Sequence, residues 1–140
     1  MSATTDTIFG KILDGEIPCH RVYEDEHAFA FLDIGPLSRG HTLVIPRERV
    51  AGLHELTPEA AAGVGRALAL VTAAVMKATG TKAYNILLNT GPTAGQEVMH
   101  AHFHIIPKHA DGTGLHKQWS PGTLDATDAE QLVTEIRAAI

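Results

Sequence analysis

The chain has 140 residues, 44% hydrophobic and 19% charged, which is the balance expected of one globular domain with one core. Its 16 acidic and 11 basic residues give a formal net charge of −5. This charge argues against a duplex nucleic-acid binder, which needs a basic face to meet phosphates. It leaves room for a mononucleotide, which needs only a few local donors.

The sequence carries no pattern typical of an exported or membrane protein. Cys19 is the single cysteine and cannot form an internal disulfide, which favours a reducing compartment. Residues 1–7 are polar and lack the basic and apolar parts of a signal peptide. No apolar run approaches the roughly 18 residues of a membrane helix. We therefore expect a cytoplasmic protein without a membrane partner.

Short elements fill the first third of the chain. Residues 8–13 are mixed in character and predict a brief helix or turn. Strands are predicted over residues 19–24, 28–33 and 41–45, where aromatic and β-branched residues are frequent. Pro46 is expected to end the third strand, because proline cannot donate to a strand ladder.

The clearest element is a long helix between Thr57 and Gly80. Thr57 is a suitable N-cap, and Pro58 follows at the first helical position, where its missing N–H costs nothing. Gly80 fits the stop after the last turn. Gly63 and Gly65 weaken such a helix unless close packing requires them. The predicted core face repeats at three- and four-residue spacing and consists of Val64, Leu68, Val71 and Val75.

Two more strands and a second helix are predicted in the last third. A strand over residues 83–89 leads through a Gly-rich loop at 90–96 into a strand at 100–106, which Pro107 ends. After a polar connection, a helix is predicted to begin at Thr127, where Glu130 has capping-box spacing. Its apolar stripe consists of Leu132, Val133 and Ile136.

The order of elements predicts an α+β fold. Three strands, a helix, two strands and a helix follow one another, and the short gaps between early strands favour antiparallel pairing. We expect a mostly antiparallel sheet of about five strands, with one long and one C-terminal helix. Since no repeat or linker divides the chain, we expect a single domain over residues 1–140. It would have a polar tail at 1–7 and a C-terminal extension at 111–140.

Three histidines alternate with apolar residues in the last predicted strand. Because side chains alternate between the faces of a strand, His100, His102 and His104 would share one face. Their Cβ atoms would lie roughly 7 Å apart along that face, given a rise of about 3.3 Å per residue. The other face would enter the core with Ala101, Phe103 and Ile105.

This row of imidazoles has three competing interpretations. The rings could simply face solvent. Two of them could bind zinc with His41 or Glu97 as third ligand, although Glu97 is one residue out of phase with the row. Alternatively, a central neutral imidazole could attack phosphorus while its neighbours donate to the phosphate oxygens. Backbone N–H groups of the loop at 90–96 could hold the same phosphate.

The sequence resembles the histidine triad (HIT) family of nucleotide-binding proteins. His-x-His-x-His followed by two apolar residues is that family's signature, and further similar segments occur in the family's order. The similarity covers roughly residues 8–108 and is greatest to small bacterial members of the branch that cleaves purine nucleoside phosphoramidates. The further segments are residues 15–18, 22–25, 31–34, 40–46 and 95–96.

The resemblance implies a role for each matching residue. His102 would be the nucleophile, the backbone carbonyl of His100 would fix its tautomer, and His104 and His41 would lie near the phosphate. Asp33 would hold the ribose hydroxyls. The base pocket would contain Ile34, Phe9 and Phe31, and the phosphate-side loop Asn89, Gly95, Gln96 and Glu97. The family is typically a homodimer, in which Trp119 of each chain would approach the partner's active site.

Two features depart from the family. Many bacterial relatives hold a structural zinc, but three of the four ligands are missing at the matching positions, so we predict no metal and no cofactor. Glu97 stands where many phosphoramidate-cleaving relatives carry serine. A carboxylate there could act as an acid only when protonated, and when ionised it would repel phosphate. The positions that match the zinc ligands are Thr7, Gly10, Arg49 and His100.

The sequence therefore predicts a nucleotide hydrolase or nucleotidyl transferase. It would cleave purine nucleoside phosphoramidates, or related nucleotide conjugates, through a covalent nucleotidyl-histidine intermediate. The alternatives are a nucleotide sensor or partner-binding dimer with little turnover, a dinucleoside polyphosphate hydrolase, and a metal-dependent hydrolase. The sequence does not separate adenosine from guanosine, because base contacts in such a pocket can be largely apolar.

Overall fold

The computed structural model describes residues 7–116 and 118–140. Within them, five antiparallel strands form one sheet in the order β1-β2-β3-β5-β4. The predicted α+β fold is confirmed. The strands are β1 (Arg21–Glu24), β2 (Ala28–Leu32), β3 (Thr42–Pro46), β4 (Ala83–Leu87) and β5 (Phe103–Lys108). The helices are α1 (Ile8–Leu13), α2 (Pro58–Thr79) and α3 (Ala126–Ala139), and single 3₁₀ turns occur at Leu53–Glu55 and Pro92–Ala94.

The long helix α2 begins and ends where the sequence predicts. The Thr57 side chain accepts a hydrogen bond from the Ala60 N–H at 3.2 Å, and Gly80 adopts a left-handed φ of +71°. Gly63 is required by close packing, because a Cβ there would lie 2.4 Å from the His27 ring. The helix packs on one face of the sheet through Val64, Val71 and Val75, with Leu68 partly buried.

The other face of the sheet is covered by α1. Phe9 and Ile12 of α1 pack against Phe29 and Phe31 of β2, together with Leu43 and Ile45 of β3. Because strand residues alternate between faces, β2 sends its alanines toward α2 and its phenylalanines toward α1. The α1 side of the sheet is the side that carries the candidate site.

The histidine strand differs from its prediction at both ends. β5 begins at Phe103, because the Ala101 N–H donates to Val50 O at 2.7 Å and directs the preceding segment toward another loop. It continues through Pro107 to Lys108. The pairing of β3 with β5 ends at Ile105, so no neighbouring strand on that side needs the missing N–H of Pro107.

Other boundaries also differ from prediction. The first strand begins at Arg21, and the third includes Pro46. The last helix begins at Ala126, because Asp125 rather than Thr127 is its N-cap and accepts from the Asp128 N–H at 3.1 Å. Its apolar stripe is exposed in the single chain and consists of Leu132, Val133 and Ile136.

Helix α2 also passes a composition test for membrane helices. Contrary to the expectation that no segment approaches this length, its 22 residues are long and apolar enough to cross a membrane. Length and composition are the only grounds for that assignment. The packing of its apolar face on the sheet accounts for the same composition.

Candidate active site

The catalytic candidates meet at the ends of three neighbouring strands. His104 lies in β5 opposite Leu43, and His41 immediately precedes β3. Asp33 immediately follows β2, and its backbone N–H donates to His41 O at 3.0 Å. His102 precedes β5, and its ring centroid lies 5.0 Å from that of His104. Antiparallel pairing thus brings together residues that are far apart in sequence.

The hydrogen bonds of His102 leave one ring nitrogen available. Its Nδ1 lies 2.7 Å from the backbone carbonyl of His100, so Nδ1 carries the proton and donates. The lone pair of the neutral ring is then on Nε2. Phe9 packs edge-on against the ring with a centroid distance of 4.9 Å, which restricts its rotation. The nucleophilic role that the resemblance implies for His102 stays a prediction, and Nε2 is the nitrogen that could perform it.

A second hydrogen-bond chain sets the tautomers of His41 and His104. The Leu37 N–H donates to His41 Nδ1 at 3.0 Å, so the proton of neutral His41 lies on Nε2. That Nε2 is 2.9 Å from His104 Nδ1, which must accept. His104 therefore carries its own proton on Nε2 and can donate it to a ligand.

Burial keeps these rings uncharged. The pKa of His104 is lowered to about 4, chiefly by desolvation and also by the neighbouring His102 and His41, while Asp33 opposes the shift. Desolvation also lowers the pKa of His41, although Asp33 opposes the shift. A neutral imidazole at each of these two positions fits the tautomers that the hydrogen bonds require.

The same hydrogen bonds argue against a metal centre. One potential ligand atom from each of Asp33, His41 and His104 lies within 4.8 Å of the others. However, the Nε2 atom of His41 that faces this cluster carries a proton, because its Nδ1 accepts from the Leu37 N–H. A protonated nitrogen has no lone pair for a metal, so this donor set does not fit one.

His100 lies before β5, and its ring packs edge-on against Phe9 of α1 with a centroid distance of 6.3 Å. Its ring is fully buried, and Nε2 donates to Pro46 O at 2.9 Å. Burial lowers its pKa. Strand alternation does not reach this residue, because β5 begins three positions later. Its contribution to the site is the backbone carbonyl that binds His102.

A cavity of about 280 Å³ opens beside the His102 and His104 rings. The predicted Phe9, Phe31, Asp33 and Glu97 line it, and Ile34 lies at its rim with 89% of its surface exposed. An apolar cavity with a few polar groups is typical of a small-molecule site. Sequence reasoning did not identify the other lining residues, which are Ile8, Ile12, Ile17, Pro18, Cys19, Leu32, Leu43 and Val98.

Comparison with known proteins identifies the family. The family described as HIT domain matches residues 14–111. The chain belongs to the HIT family. Adenosine 5'-monophosphoramidase hnt1 of Schizosaccharomyces pombe is 44% identical over 133 residues, which are 95% of this chain and 97% of that protein. Adenylylsulfatase HINT3 of Arabidopsis thaliana is 43% identical over 103 residues, 74% of this chain and 52% of that protein.

A solved structure supports the same assignment. The crystal structure of a HIT family member from Bacillus subtilis has a TM-score of 0.90 and 36% sequence identity. The match covers 96% of this chain and 97% of that one. The five-stranded sheet and its helices are therefore those of a HIT fold.

The loop that follows β4 is held by Gln96. The Gln96 Oε1 accepts from the Gly91 N–H at 2.7 Å, and its Nε2 donates to Ala51 O and Val98 O. This side chain therefore shapes the loop, and the phosphate contacts predicted for the loop stay a prediction. Asn89, Gly95 and Gln96 do not line the cavity, in contrast to Glu97.

Thr7 and Arg49 stand at two of the positions that the resemblance matches to zinc ligands, and both contact the start of the chain's first helix. Thr7 caps α1 by accepting from the Gly10 N–H at 3.0 Å. Arg49 donates to Gly10 O at 3.3 Å and pairs with the Asp14 carboxylate. These contacts hold α1, and with it Phe9 against the His102 ring.

Trp119 and Glu97 are both exposed in the single chain. Trp119 has 77% of its surface exposed. Its predicted place in the partner's active site stays a prediction. The Glu97 carboxylate has no hydrogen bond or ion pair to the residues that the structure describes.

Proposed function

We propose that this protein is a nucleotide hydrolase that cleaves purine nucleoside phosphoramidates, or related nucleotide conjugates, through a covalent bond to His102. The observation that carries the proposal is the hydrogen bond from His102 Nδ1 to the His100 carbonyl. It leaves the Nε2 lone pair on a ring that lines the cavity. The names of two relatives, a monophosphoramidase and an adenylylsulfatase, support the class of reaction.

The proposed reaction has two displacements at phosphorus. In the first, His102 Nε2 forms a bond to the α-phosphorus, the bond to the leaving nitrogen breaks, and the amine takes up one proton from solvent. The imidazolium formed on His102 donates through Nδ1 to the His100 carbonyl, which stabilises its charge. In the second, water attacks phosphorus, the bond to Nε2 breaks, and one proton returns to solvent. The net change is hydrolysis to amine and nucleoside monophosphate.

The remaining groups bind and orient the nucleotide. His104 Nε2–H donates to a non-bridging phosphate oxygen, and no metal or cofactor takes part in the covalent step. One Asp33 oxygen accepts from the Gly35 N–H at 2.8 Å, and the other lies 3.4 Å from His41 Nε2. The carboxylate is thereby fixed where it can accept from ribose hydroxyls. Apolar side chains around the cavity, with Ile34 at the rim, cover the base.

Replacement of the nucleophile tests this proposal. We expect His102→Asn to reduce kcat/KM for an adenosine phosphoramidate by about 10⁴-fold or more, as for other covalent catalytic groups. Its melting temperature should stay near that of the wild type. The exposed His20, replaced by Asn, serves as a matched control with unchanged activity. Turnover retained by His102→Asn would remove this residue from the role of nucleophile.

A binding protein with little turnover is the second candidate. The observation that favours it is the unpaired Glu97 carboxylate in the cavity, because a negative charge there opposes the approach of a phosphate. Measurable binding of adenosine monophosphate, combined with no hydrolysis of any amidate by the wild-type protein, would select this candidate.

We further propose that two copies of the chain pair along β4. This strand has a neighbour on one side only, and its Tyr84 and Ile86 are 46% and 39% exposed. With α2 they line an apolar groove of about 350 Å³. The opposite edge of the sheet, β1, carries the ion pair between Arg21 and Glu24, which protects it from pairing. An apolar strand edge beside an apolar helix face can pair with the same surface of a second copy of the chain.

A further inference from the structure

The charged side chains that line the cavity are all acidic. Among the described residues, the lining contains Asp33 and Glu97 but no lysine or arginine. Sites that bind several anionic groups ordinarily supply a cation for each of them. This cavity therefore offers hydrogen-bond donors to its ligand, but no positively charged side chain to balance the negative charge of a bound anion.

The two carboxylates occupy different parts of the site. Asp33 follows β2, and its oxygens face the Gly35 N–H and His41. Glu97 belongs to the segment that leads into β5, and β3 lies between these two strands. Since Asp33 has contacts within the site and Glu97 has none with the described residues, only Glu97 is available to a group beyond the nucleoside.

The donors for the α-phosphate are neutral. His41 Nε2–H is directed to His104 Nδ1, and His104 presents its own Nε2–H. The imidazole N–H that remains for a phosphate oxygen, on His104, is a neutral donor, so it supplies a hydrogen bond without a positive charge. A second anionic group attached to that phosphate would meet the Glu97 carboxylate without a neighbouring cation.

We infer that Glu97 selects the leaving group by charge. The site favours nucleotide conjugates whose leaving group is a neutral or cationic amine, and it discriminates against sulfate and phosphate leaving groups. This inference rests on the proposed function and narrows its substrate class. It separates the two chemistries that the names of the relatives contain, a phosphoramidase and a sulfatase.

Three substrates with one nucleoside and different leaving groups test the inference. They are an adenosine phosphoramidate of a diamine with a terminal ammonium group, one of a neutral alkylamine of equal length, and adenylyl sulfate. We expect Glu97→Gln to lower the ratio of kcat/KM for the ammonium substrate to that for adenylyl sulfate by about tenfold, as expected for one nearby charge. Glu97→Asp, which keeps the charge, should retain most of the wild-type ratio.

Salt and a remote variant provide the controls. Raising the ionic strength should lower the ratio in the wild type, through screening, and have little effect in Glu97→Gln. Glu135→Gln, on the exposed helix α3, makes the same change in net charge away from the cavity and should leave the ratio unchanged. Melting temperatures establish that each variant is folded.

The outcomes distinguish the inference from the proposed function. A ratio that is the same in Glu97→Gln and the wild type, at low and high salt, would overturn the selection by charge while hydrolysis itself stands. Failure of the wild type to hydrolyse any of the three substrates would reject the proposed function, and this inference with it.

Discussion

The proton positions of four histidines follow from their hydrogen-bond partners at the scale of single residues. A backbone carbonyl holds the proton of His102 on Nδ1, and a backbone N–H holds that of His41 on Nε2. His104 accepts from His41, and His100 donates to Pro46 O. Main-chain groups of the fold thus fix, in advance of any ligand, which nitrogen of His102 and of His41 carries the proton.

The half-buried histidine His104 makes the free energy of unfolding depend on pH. Its pKa of about 4 in the folded chain lies below its ordinary value of 6.5, chiefly because burial disfavours the imidazolium. The unfolded chain therefore binds more protons between these two pH values. The free energy of unfolding has its full value above pH 6.5 and falls as the pH is lowered toward 4.

Urea denaturation at pH 7, 6 and 5 measures this dependence. We expect the wild type to lose stability over this range, and His104→Asn to lose less because the half-buried titrating ring is gone. The exposed His20→Asn variant should follow the wild type. An identical pH dependence in the wild type and in His104→Asn would show that the His104 ring is not its source.

At the scale of elements, the start of α2 is tied to the strand that precedes it. The Glu48 carboxylate accepts from both the N–H and the hydroxyl of Thr57, at 3.0 and 2.6 Å. Both hydrogen bonds lower the pKa of Glu48, and the one from the hydroxyl has the larger effect. The Thr57 hydroxyl oxygen also caps the helix through the Ala60 N–H. One residue thus joins the loop after β3 to the helix that covers the sheet.

Replacing this cap should destabilise the protein in a graded way. We expect Thr57→Ala to lower the free energy of unfolding by about 1 to 2 kcal/mol, because the Ala60 N–H loses its acceptor. Thr57→Ser keeps the hydroxyl and should retain most of the stability in the same urea titration. Equal losses in both variants would show that the hydroxyl is not the source of the effect.

Local sequence signals predicted the elements but not all of their ends. The cap, the proline and the terminal glycine of α2 act within one turn, so they could be identified without tertiary information. The start of β5 depends on a hydrogen bond between Ala101 and the distant Val50, and the tolerance of Pro107 depends on where β3 stops pairing. Neither contact can be inferred from residues that are adjacent in sequence.

The sequence predicted most of the candidate site, but not every residue's role in it. The order of motifs identified His102, His104, His41 and Asp33, and the fold brings them together. The structural role of the Gln96 side chain was not predictable, because its partners come from the distant Ala51 as well as from its own loop.

At the scale of the whole molecule, the two faces of the sheet have separate roles. The cavity with the histidines lies on the side that α1 covers, and the apolar groove along β4 lies on the side of α2. A change in the groove can therefore alter association without rearranging the histidines. Trp119, exposed in the single chain, is the residue through which association would reach the active site.

A charge in the groove should separate the proposed dimer. We expect Ile86→Asp to sediment as a monomer at concentrations where the wild type sediments as a dimer, because burying a carboxylate at a strand pair is costly. Leu53, equally apolar and 46% exposed outside the groove, provides a matched control as Leu53→Asp. A wild type that is monomeric at all concentrations would contradict the dimer.

The fluorescence of the single tryptophan provides a second test of the proposed dimer. If Trp119 of each chain approaches the other's cavity, its fluorescence should respond to adenosine monophosphate in the wild type and in Leu53→Asp. The response should be lost in Ile86→Asp. An equal response in the monomeric variant would show that Trp119 senses nucleotide within its own chain.

The central claim is that His102 Nε2 bonds to phosphorus. The direct measurement is mass spectrometry of the peptide around residue 102 after rapid quenching of the protein with a slowly reacting adenosine phosphoramidate. Covalent catalysis by His102 predicts an added adenylyl group on this residue, formed and lost during turnover and absent from His102→Asn. Turnover without any adduct, or an adduct carried by His104 instead, would contradict it.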